Sequence, residues 1–499
     1  MIKKVEKIAI IGGGTSAWLT AAYLKKNIID YKEIVVIDKE NSNPVGVGEA
    51  TILNFKTFMD DCGFNITDWF SKIGSVFKGG ILFPNWGTGE VWHPFAFPDY
   101  SYNGNPTTLV GCWTKFQEKT FKENGLIHYD VCKHQMRVDP DNLSIYAFHI
   151  DALNLVEFIK DQIIGNDVHF IQSEVVGIQY DTDEYVSFLD LKDGSKIEAD
   201  LYVDCTGFNG LIYDSDKVDL SDRLYCDTAV ATQVPYENQN EELNPYVNCP
   251  AVESGWIWEI PLQTRIGSGL VFNRNITSPD DAKVELSNHW NGRVSPSDMK
   301  VLDWTPYYNK NFWKKNVVNI GLSAGFIEPL ESTGIALICA GISGMFDRIQ
   351  TMEYTDNDIN LYNAEMTCKF EDCIDFVNMH YSYSEAKGKF WDWIREVYKP
   401  SEKLLYFKEQ LENNPKFQLS GFTGKDIFSG NNWIAWMIQL GNKVIKRDDN
   451  IPDEVSYLMM SDFVKNEMNK YDYLPNVNVY CKYFNTLSHL NEQSINPYR

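Results

Sequence analysis

Short apolar runs at the start of the chain alternate with glycine and small residues. The run 8–11 precedes three glycines and predicts a buried strand followed by a tight turn. Ala17, Ala21 and Ala22 then recur at helical spacing, which predicts a helix packed on a sheet. A second apolar run, EIVVID, ends at Asp38, where a carboxylate can accept hydrogen bonds from an adenosine ribose. This order predicts a nucleotide-binding α/β unit.

The glycine turn of this unit reads G-x-G-x-x-A. Gly12 permits the turn, Gly14 lets the backbone approach a pyrophosphate, and Ala17 keeps the helix close to the strand. Thr15 and Ser16 begin the helix, where free N–H groups and the helix dipole favour an anion. We therefore predict that these five residues contact a dinucleotide, the alternative being a turn that binds nothing.

A further apolar strand, 201–203, precedes Asp204 and Gly207 far downstream. Alone it is an ordinary strand-to-turn junction, but flavoproteins of glutathione-reductase type often carry such an element. The predicted fold is α/β (α+β), with a Rossmann-like FAD-binding module at 1–375, of which 84–145 reaches over the active site. Helical spacing beyond it predicts a mainly helical, substrate-covering module at 376–499.

Charge and cysteine usage narrow the class of function. The 499 residues carry a formal net charge of −24, which argues against nucleic acid and anionic membranes as partners. No signal peptide or membrane span is apparent, so a cytoplasmic protein is predicted. The ten cysteines form no C-x-x-C pair, and no G-x-S-x-G motif occurs. We expect no metal site, and the chemistry must come from a cofactor.

Seven motifs, in order, carry a resemblance to a known family. They are GGGTSAW (12–18), VGVGEAT (45–51), FKGGILFPNW (77–86), HPF (93–95), DCTGF (204–208), GWIWEIPL (255–262) and EPLESTGI (328–335). In this order the sequence resembles the flavin-dependent halogenases of the tryptophan halogenase family, over residues 8 to about 440. The W-x-W-x-I-P pattern is the most distinctive of the seven.

The resemblance implies a reaction and its cofactors. Reduced FAD, supplied by a separate flavin reductase, reacts with O2 to give a flavin hydroperoxide, and a halide ion attacks it to yield hypohalous acid. The protein supplies position and the cofactor supplies oxidising power. The resemblance adds further FAD contacts, namely Gly48, Glu49, Ala50, Gly325, Gly334 and Ile335.

The halide and the passage for the oxidant have their own predicted residues. Backbone N–H groups of Thr333 and Gly334 would hold the halide at a helix start, with Ser332 or Thr333 as the cap. Trp256 and Trp258 alternate along a strand and therefore share one face. The resemblance makes them, with Pro261, walls of the passage, although core packing explains them equally well.

Two charged residues are the predicted catalytic groups. Lys78 lies among apolar residues, so its amine is expected to be buried and its pKa lowered. From periodicity alone, a snorkelling surface lysine is the alternative. The resemblance implies that Lys78 delivers the halogen and that Glu331, nearby, orients the oxidant or takes the arene proton. Glu328 is expected to be structural, and His93 and Phe95 are expected to sandwich the aromatic substrate.

The substrate and the halide are less defined. The stretch 417–436 lacks the adjacent tyrosines of tryptophan-specific members, so an electron-rich indole or phenol is expected rather than free tryptophan. Bromide or iodide is expected over chloride because both are easier to oxidise. An FAD-dependent aromatic monooxygenase and a nonenzymatic flavin-binding protein stay open as alternatives, and so does a homo-oligomer.

Overall fold

A computed structural model describes most of the chain. It covers residues 2–29, 31–39, 46–87, 90–95, 138, 143–165, 168–213, 217–413, 427–430, 432, 433, 436, 474 and 477–495. Most of the segment 84–145, predicted to reach over the active site, therefore lies outside the described residues, as does most of the stretch 417–436.

Strands and short helices dominate the first three quarters of the chain, and longer helices follow. The strands are β1 Lys3–Lys4, β2 Lys7–Ile11, β3 Glu33–Asp38, β4 Glu49–Ala50, β5 Val76–Lys78, β6 Gly80–Phe83, β7 Val91–Pro94, β8 Ala147–Ile150, β9 Val168–Gln172, β10 Val175–Tyr180, β11 Val186–Leu191, β12 Lys196–Ile197, β13 Leu201–Asp204, β14 Lys217–Asp219, β15 Thr228–Val234, β16 Val247–Asn248, β17 Ala251–Val252, β18 Gly255–Pro261, β19 Ile266–Phe272, β20 Lys300–Asp303, β21 Tyr307–Asn309, β22 Trp313–Lys314, β23 Val317–Asn319, β24 Gly325–Phe326 and β25 Glu353–Tyr354. The helices are α1 Thr15–Asn27, α2 Asn54–Asp61, α3 Ile66–Trp69, α4 Ala152–Ile163, α5 Gln239–Glu242, α6 Pro279–His289, α7 Thr333–Ile349, α8 Asp356–Tyr383, α9 Lys389–Val397, α10 Glu402–Asn413 and α11 Val477–Ile495.

The predicted nucleotide-binding unit forms the centre of a six-stranded sheet with the order β22-β23-β13-β2-β3-β9. Strands β23, β13, β2, β3 and β9 are parallel, and Ile8 pairs with both Leu201 and Ile34. Parallel strands are covered on both faces, which explains their continuous apolar runs. The mixed α/β fold and its Rossmann-like centre are confirmed.

Two sheets, one mixed and one antiparallel, carry several residues of the predicted chemistry. In one, β18 and β19 pair along their whole length, from Gly255–Phe272 to Pro261–Ile266, and β6 and β7 extend the same sheet. The other has the order β4-β8-β5 and ends in Lys78. Trp256, Trp258, Lys78 and His93 thus lie on strands, whereas Phe95 directly follows β7.

Helix α8 is 28 residues long and runs through the boundary predicted at residue 375. It packs against α7, and the largest apolar core takes side chains from both sides of that boundary, such as Ile10 and Trp391. The division into two modules therefore stays a prediction. Within the described residues, no helix is long and apolar enough to cross a membrane.

Candidate functional site

The glycine turn after β2 has the shape that a pyrophosphate needs. Gly12 has a φ of +125°, and a Cβ there would lie 2.3 Å from the carbonyl oxygen of Cys205. At Gly13 a Cβ would lie 1.7 Å from a carboxylate oxygen of Asp38, so a side chain there would require Asp38 to move. At Gly14, in contrast, a Cβ would meet no atom within 4 Å. The backbone thus requires a glycine at position 12, whereas the open side of Gly14 fits a ligand.

Helix α1 offers unsatisfied donors at the same place. Its N-cap, Gly14, provides no side-chain hydrogen bond, and the first turn holds no acidic residue. A helix start without a cap keeps free N–H groups and the positive end of the dipole. The predicted contacts Thr15, Ser16 and Ala17 lie in this turn, and the residues present therefore fit the phosphates of FAD.

Three further predicted FAD contacts belong to the motif GVGEAT. Gly48 has a φ of +85°, and the side chain of Glu49 is exposed while Ala50 is buried. At Gly325, a Cβ would lie 2.7 Å from both a ring carbon of Phe370 and the carbonyl oxygen of Tyr307. Packing between strands is thus sufficient reason for that glycine, and its contact with the flavin stays a prediction.

Lys78 is fully buried at the end of β5. Its Nζ donates to the carbonyl oxygen of Thr51 at 3.0 Å and to Oγ of Ser332 at 2.7 Å, and it lies 4.4 Å from the ring centre of Phe95. Burial lowers the pKa of the amine from 10.5 to about 7, against the opposing effect of the Glu331 carboxylate. A large fraction of Lys78 is therefore uncharged near neutral pH.

The start of helix α7 has the features predicted for the halide. Ser332 has a left-handed φ of +61°, and neither it nor Thr333 caps the helix, so the predicted cap is wrong. The Ser332 hydroxyl is turned to Lys78 instead. Among the described residues, Oγ1 of Thr333 is buried without a partner, and a Cβ on Gly334 would meet no atom within 4 Å. The hydroxyl of Thr333 and the open space at Gly334 therefore lie together and offer a small anion a donor and room to bind. The predicted flavin contact Ile335 is the next residue.

Glu331 is fully buried and is held by three side chains. His93 Nδ1 lies 2.8 Å from Oε2, while Trp436 Nε1 donates to Oε1 at 3.0 Å and His380 Nε2 contacts the same oxygen. The amide of Asn432 donates to His93 Nε2 at 2.8 Å, so the hydrogen of that ring is on Nδ1 and points to Glu331. Among the described residues, these contacts leave about one of the four acceptor positions of the carboxylate, on Oε2.

A proton lies between Glu331 and His380. His380 Nδ1 is 2.7 Å from the carbonyl oxygen of Phe376, which only accepts, so Nδ1 carries a hydrogen. The contact between Nε2 and Oε1 then needs a second proton. Burial raises the pKa of Glu331, but His93 and His380 outweigh it and lower the carboxyl pKa to about 2. Burial also lowers the pKa of His380, although the Glu331 carboxylate opposes that shift. Because the carboxyl pKa is so low, we place the shared proton on the imidazole, against the effect of burial on that ring.

Trp256 and Trp258 share one face of β18, as predicted, with ring centres 6.4 Å apart. Gly269 lies opposite Trp258, and a Cβ there would lie 2.1 Å from the indole, so the missing side chain makes room for the ring. Trp256 Nε1 donates to the hydroxyl of Tyr381 at 3.2 Å. The indoles are fixed by packing and by this bond, and their passage role stays a prediction.

Glu328 is a second buried acid on the same turn. Tyr381 donates to its Oε1 at 2.6 Å, while Oε2 has no partner among the described residues. Burial raises the pKa of this carboxyl to about 7, although the Tyr381 bond opposes the shift. The predicted structural role agrees with the bond to Tyr381, but no pattern in the sequence predicts the raised pKa.

The described residues bring most of the predicted groups together. Lys78, Phe95, Ser332, Glu331 and His93 form one contact chain. Sequence reasoning missed the partners that complete it, which are Thr51, His380, Asn432 and Trp436. Asn432 and Trp436 belong to the stretch 417–436, whose amide and indole side chains are the donors that a buried carboxylate needs. His380 carries no comparable pattern.

A glycine turn and helix start that fit a dinucleotide, together with a separate, buried lysine beside a buried carboxylate, are the features expected of a flavin-dependent enzyme with a second, enclosed site. The family model for tryptophan halogenase matches residues 7–453, and the chain belongs to this family. It is a flavin-dependent halogenase. Enzymes of this class use reduced FAD, O2 and halide, and take the reduced flavin from a separate reductase.

Individual relatives agree with this assignment. A tryptophan 7-halogenase from Lentzea aerocolonigenes is 30% identical over 433 residues, covering 80% of each chain. A tryptophan 6-halogenase from Streptomyces albogriseolus is 29% identical over 430 residues, again 80% of each. The solved structure of a flavin-dependent halogenase from Xanthomonas campestris has a TM-score of 0.87 at 26% identity, covering 97% of this chain and 99% of its own.

Proposed function

We propose that this enzyme halogenates an electron-rich indole or phenol in the cytoplasm, through electrophilic halogen delivered at Lys78. The observation that carries the proposal is the setting of the amine. It is fully buried, fixed by Thr51 and Ser332, and has a pKa of about 7. An amine that is partly neutral can bind hypohalous acid by hydrogen bonding or exchange a hydrogen for halogen, which a hydrated ammonium does poorly.

The cofactor site supports the same function. The residues that would hold FAD are those of the cradle at Gly12, Gly14 and the start of α1, with Asp38 at the ribose. Bound there as FADH2 with O2, the cofactor supplies the oxidising equivalents for halide. The uncapped start of α7 at Thr333 would hold the halide through backbone N–H groups.

Glu331 is the proposed base for the arene proton. Three of its acceptor positions are occupied by His93, His380 and Trp436, so the proton must arrive at the remaining position on Oε2. The low pKa of the carboxyl keeps it ionised and ready to accept. His93 and Phe95 remain proposed as the rings that hold the substrate.

We propose that the substrate differs from that of the tryptophan halogenases named above. A zwitterionic amino acid needs partners for two charges, and residues 417–436 offer no adjacent tyrosines. We further propose bromide or iodide as the preferred halide, since a nest of backbone N–H groups selects weakly by size and both ions are easier to oxidise than chloride.

The test supplies the purified protein with FAD, a flavin reductase, NADH, O2 and each of three halides, together with a panel of indoles and phenols. Mass spectrometry should show halogenated products that persist when free hypohalous acid is scavenged and that disappear in Lys78→Ala. Hydroxylated products alone would establish the monooxygenase instead. Flavin binding without turnover of any arene would support a nonenzymatic flavoprotein.

A further inference from the structure

His149 lies on the same face of the sheet β4-β8-β5 as Lys78. Val76 pairs with His149 and Lys78 pairs with Ala147, and residues directly opposed on antiparallel strands point to one side. Ala50 pairs with His149 from the other edge. His149 therefore lies between the strand of the predicted flavin contacts and the reactive amine.

The ring of His149 presents a lone pair that nothing in the described protein uses. Nδ1 is 2.9 Å from the carbonyl oxygen of Pro261, which only accepts, so Nδ1 carries the hydrogen and Nε2 is a bare acceptor. The ring is fully buried, and Nε2 has no partner among the described residues. Buried acceptors are normally paired with protein, water or ligand, because an unpaired one is costly.

Protonation of the ring does not remove the unpaired acceptor at Nε2. Burial, together with the charge of Lys78, lowers the pKa of His149 to about 3, while the bond to Pro261 acts in the opposite direction. Of its neighbours on the same face, Ala50 and Ala147 carry only methyl groups, and Val76 directly opposite is apolar. The ring is thus neutral, and its lone pair is fixed in direction and bordered by apolar side chains, which suits a small neutral molecule with one O–H donor.

We propose that His149 Nε2 accepts a hydrogen bond from the O–H of hypohalous acid and so holds the oxidant beside Lys78. The inference rests on the proposed function for the identity of the ligand. With its O–H bound by His149, the acid presents its halogen end towards the amine. No covalent bond changes at the ring, so His149 is a positioning residue, tied by Pro261 to the passage strand β18.

A matched pair of variants separates the acceptor from the structural bond. In His149→Asn the amide N–H can keep the bond to the Pro261 oxygen, but nothing replaces Nε2; in His149→Gln the amide reaches the place of Nε2. With FAD, reductase and halide supplied, the assay measures how much of the oxidant halogenates the arene and how much reacts with an added scavenger. In His149→Asn, the fraction that halogenates the arene (the arene's share) should fall about tenfold while the total amount of oxidant stays unchanged. In His149→Gln, part of this fraction should be recovered. An unchanged share in Asn would overturn the proposal.

A second readout does not depend on turnover. Methanol has an O–H and a methyl group in place of the chlorine of hypochlorous acid, and it does not react. Crystals of the full-length protein with FAD, soaked in methanol, should show its oxygen or an ordered water within hydrogen-bonding distance of His149 Nε2. A dry, apolar environment at this atom would refute the site.

The two readouts also distinguish this proposal from the function on which it rests. If the wild type gives no halogenated product while the soaked crystals show an oxygen at Nε2, the site stands and the proposed oxidant is wrong. If the wild type halogenates and His149→Asn keeps the arene's share, the function stands and the role of His149 is wrong.

Discussion

Replacing Lys78 by methionine should remove activity and yet stabilise the protein. The unfolded chain protonates this amine below its ordinary pKa of 10.5, whereas the folded protein does so only below about 7. Below pH 7 the folded state carries the full cost of a buried charge, and between pH 7 and 10.5 the cost declines as the folded amine becomes neutral. Linkage gives about 5 kcal/mol at pH 6 and about 2 kcal/mol at pH 9.

Part of this cost is offset by contacts that the variant loses. Lys78→Met leaves the carbonyl oxygen of Thr51 without its donor and frees the hydroxyl of Ser332, at about 1–3 kcal/mol. The net gain should therefore be about 2–4 kcal/mol at pH 6 and close to zero at pH 9. The pH dependence of the difference, rather than its absolute size, is the quantity that the structure predicts.

The assay compares the apparent Tm of wild type and Lys78→Met by thermal scanning at pH 6 and pH 9, with Lys387→Met as the control at an exposed lysine. We expect a rise of several degrees at pH 6, little change at pH 9 and none for the control at either pH. A variant that is less stable at pH 6 than at pH 9, relative to wild type, would refute a desolvated amine at this position.

Four other changes test separate parts of the site. Glu331→Gln should reduce product formation about 100-fold or more while FAD affinity is kept, because a base is lost; equal rates would exclude that role. Glu328→Gln should be more stable than wild type by about 3 kcal/mol at pH 8 and about 1 kcal/mol at pH 5, because ionisation of this carboxyl favours the unfolded chain increasingly between pH 4.5 and about 7; equilibrium unfolding at both pH values measures the difference. Gly14→Val should leave the Tm nearly unchanged but weaken FAD binding more than tenfold in a fluorescence titration, because its side chain enters only the open cradle. Gly269→Ala should lower the Tm clearly, since its methyl group would overlap the ring of Trp258.

Local features of the site followed from the sequence because they depend on neighbours along the chain. The strand, turn and helix around Gly12, the shared face of Trp256 and Trp258, and the burial of Lys78 are all set by patterns of a few residues. Such patterns report periodicity and turn chemistry directly. They indicate which residues can do chemistry, but not which partners surround them.

The partners of Glu331 could not be predicted in the same way. His380 follows it by 49 positions and Trp436 by 105, and both reach the carboxylate only because helices pack across the molecule. The expected helix cap was wrong for the same reason, because a distant residue decides what the Ser332 side chain binds. Ser332 is a favoured N-cap residue, but its bond to Lys78, 254 positions away, takes the hydroxyl that local capping would use.

The pKa values of the two acids of one turn are shifted in opposite directions by what surrounds them. Glu331 is surrounded by N–H donors and one imidazole proton, which lower its pKa to about 2. Glu328, three residues earlier, faces Tyr381 and burial, which leave its pKa raised to about 7. The ionised carboxylate of Glu331 favours the protonated amine of Lys78, but burial has the larger effect and lowers the pKa of that amine to about 7. Lys78 is therefore partly uncharged beside an ionised acid, and the uncharged amine is the state that can take up halogen.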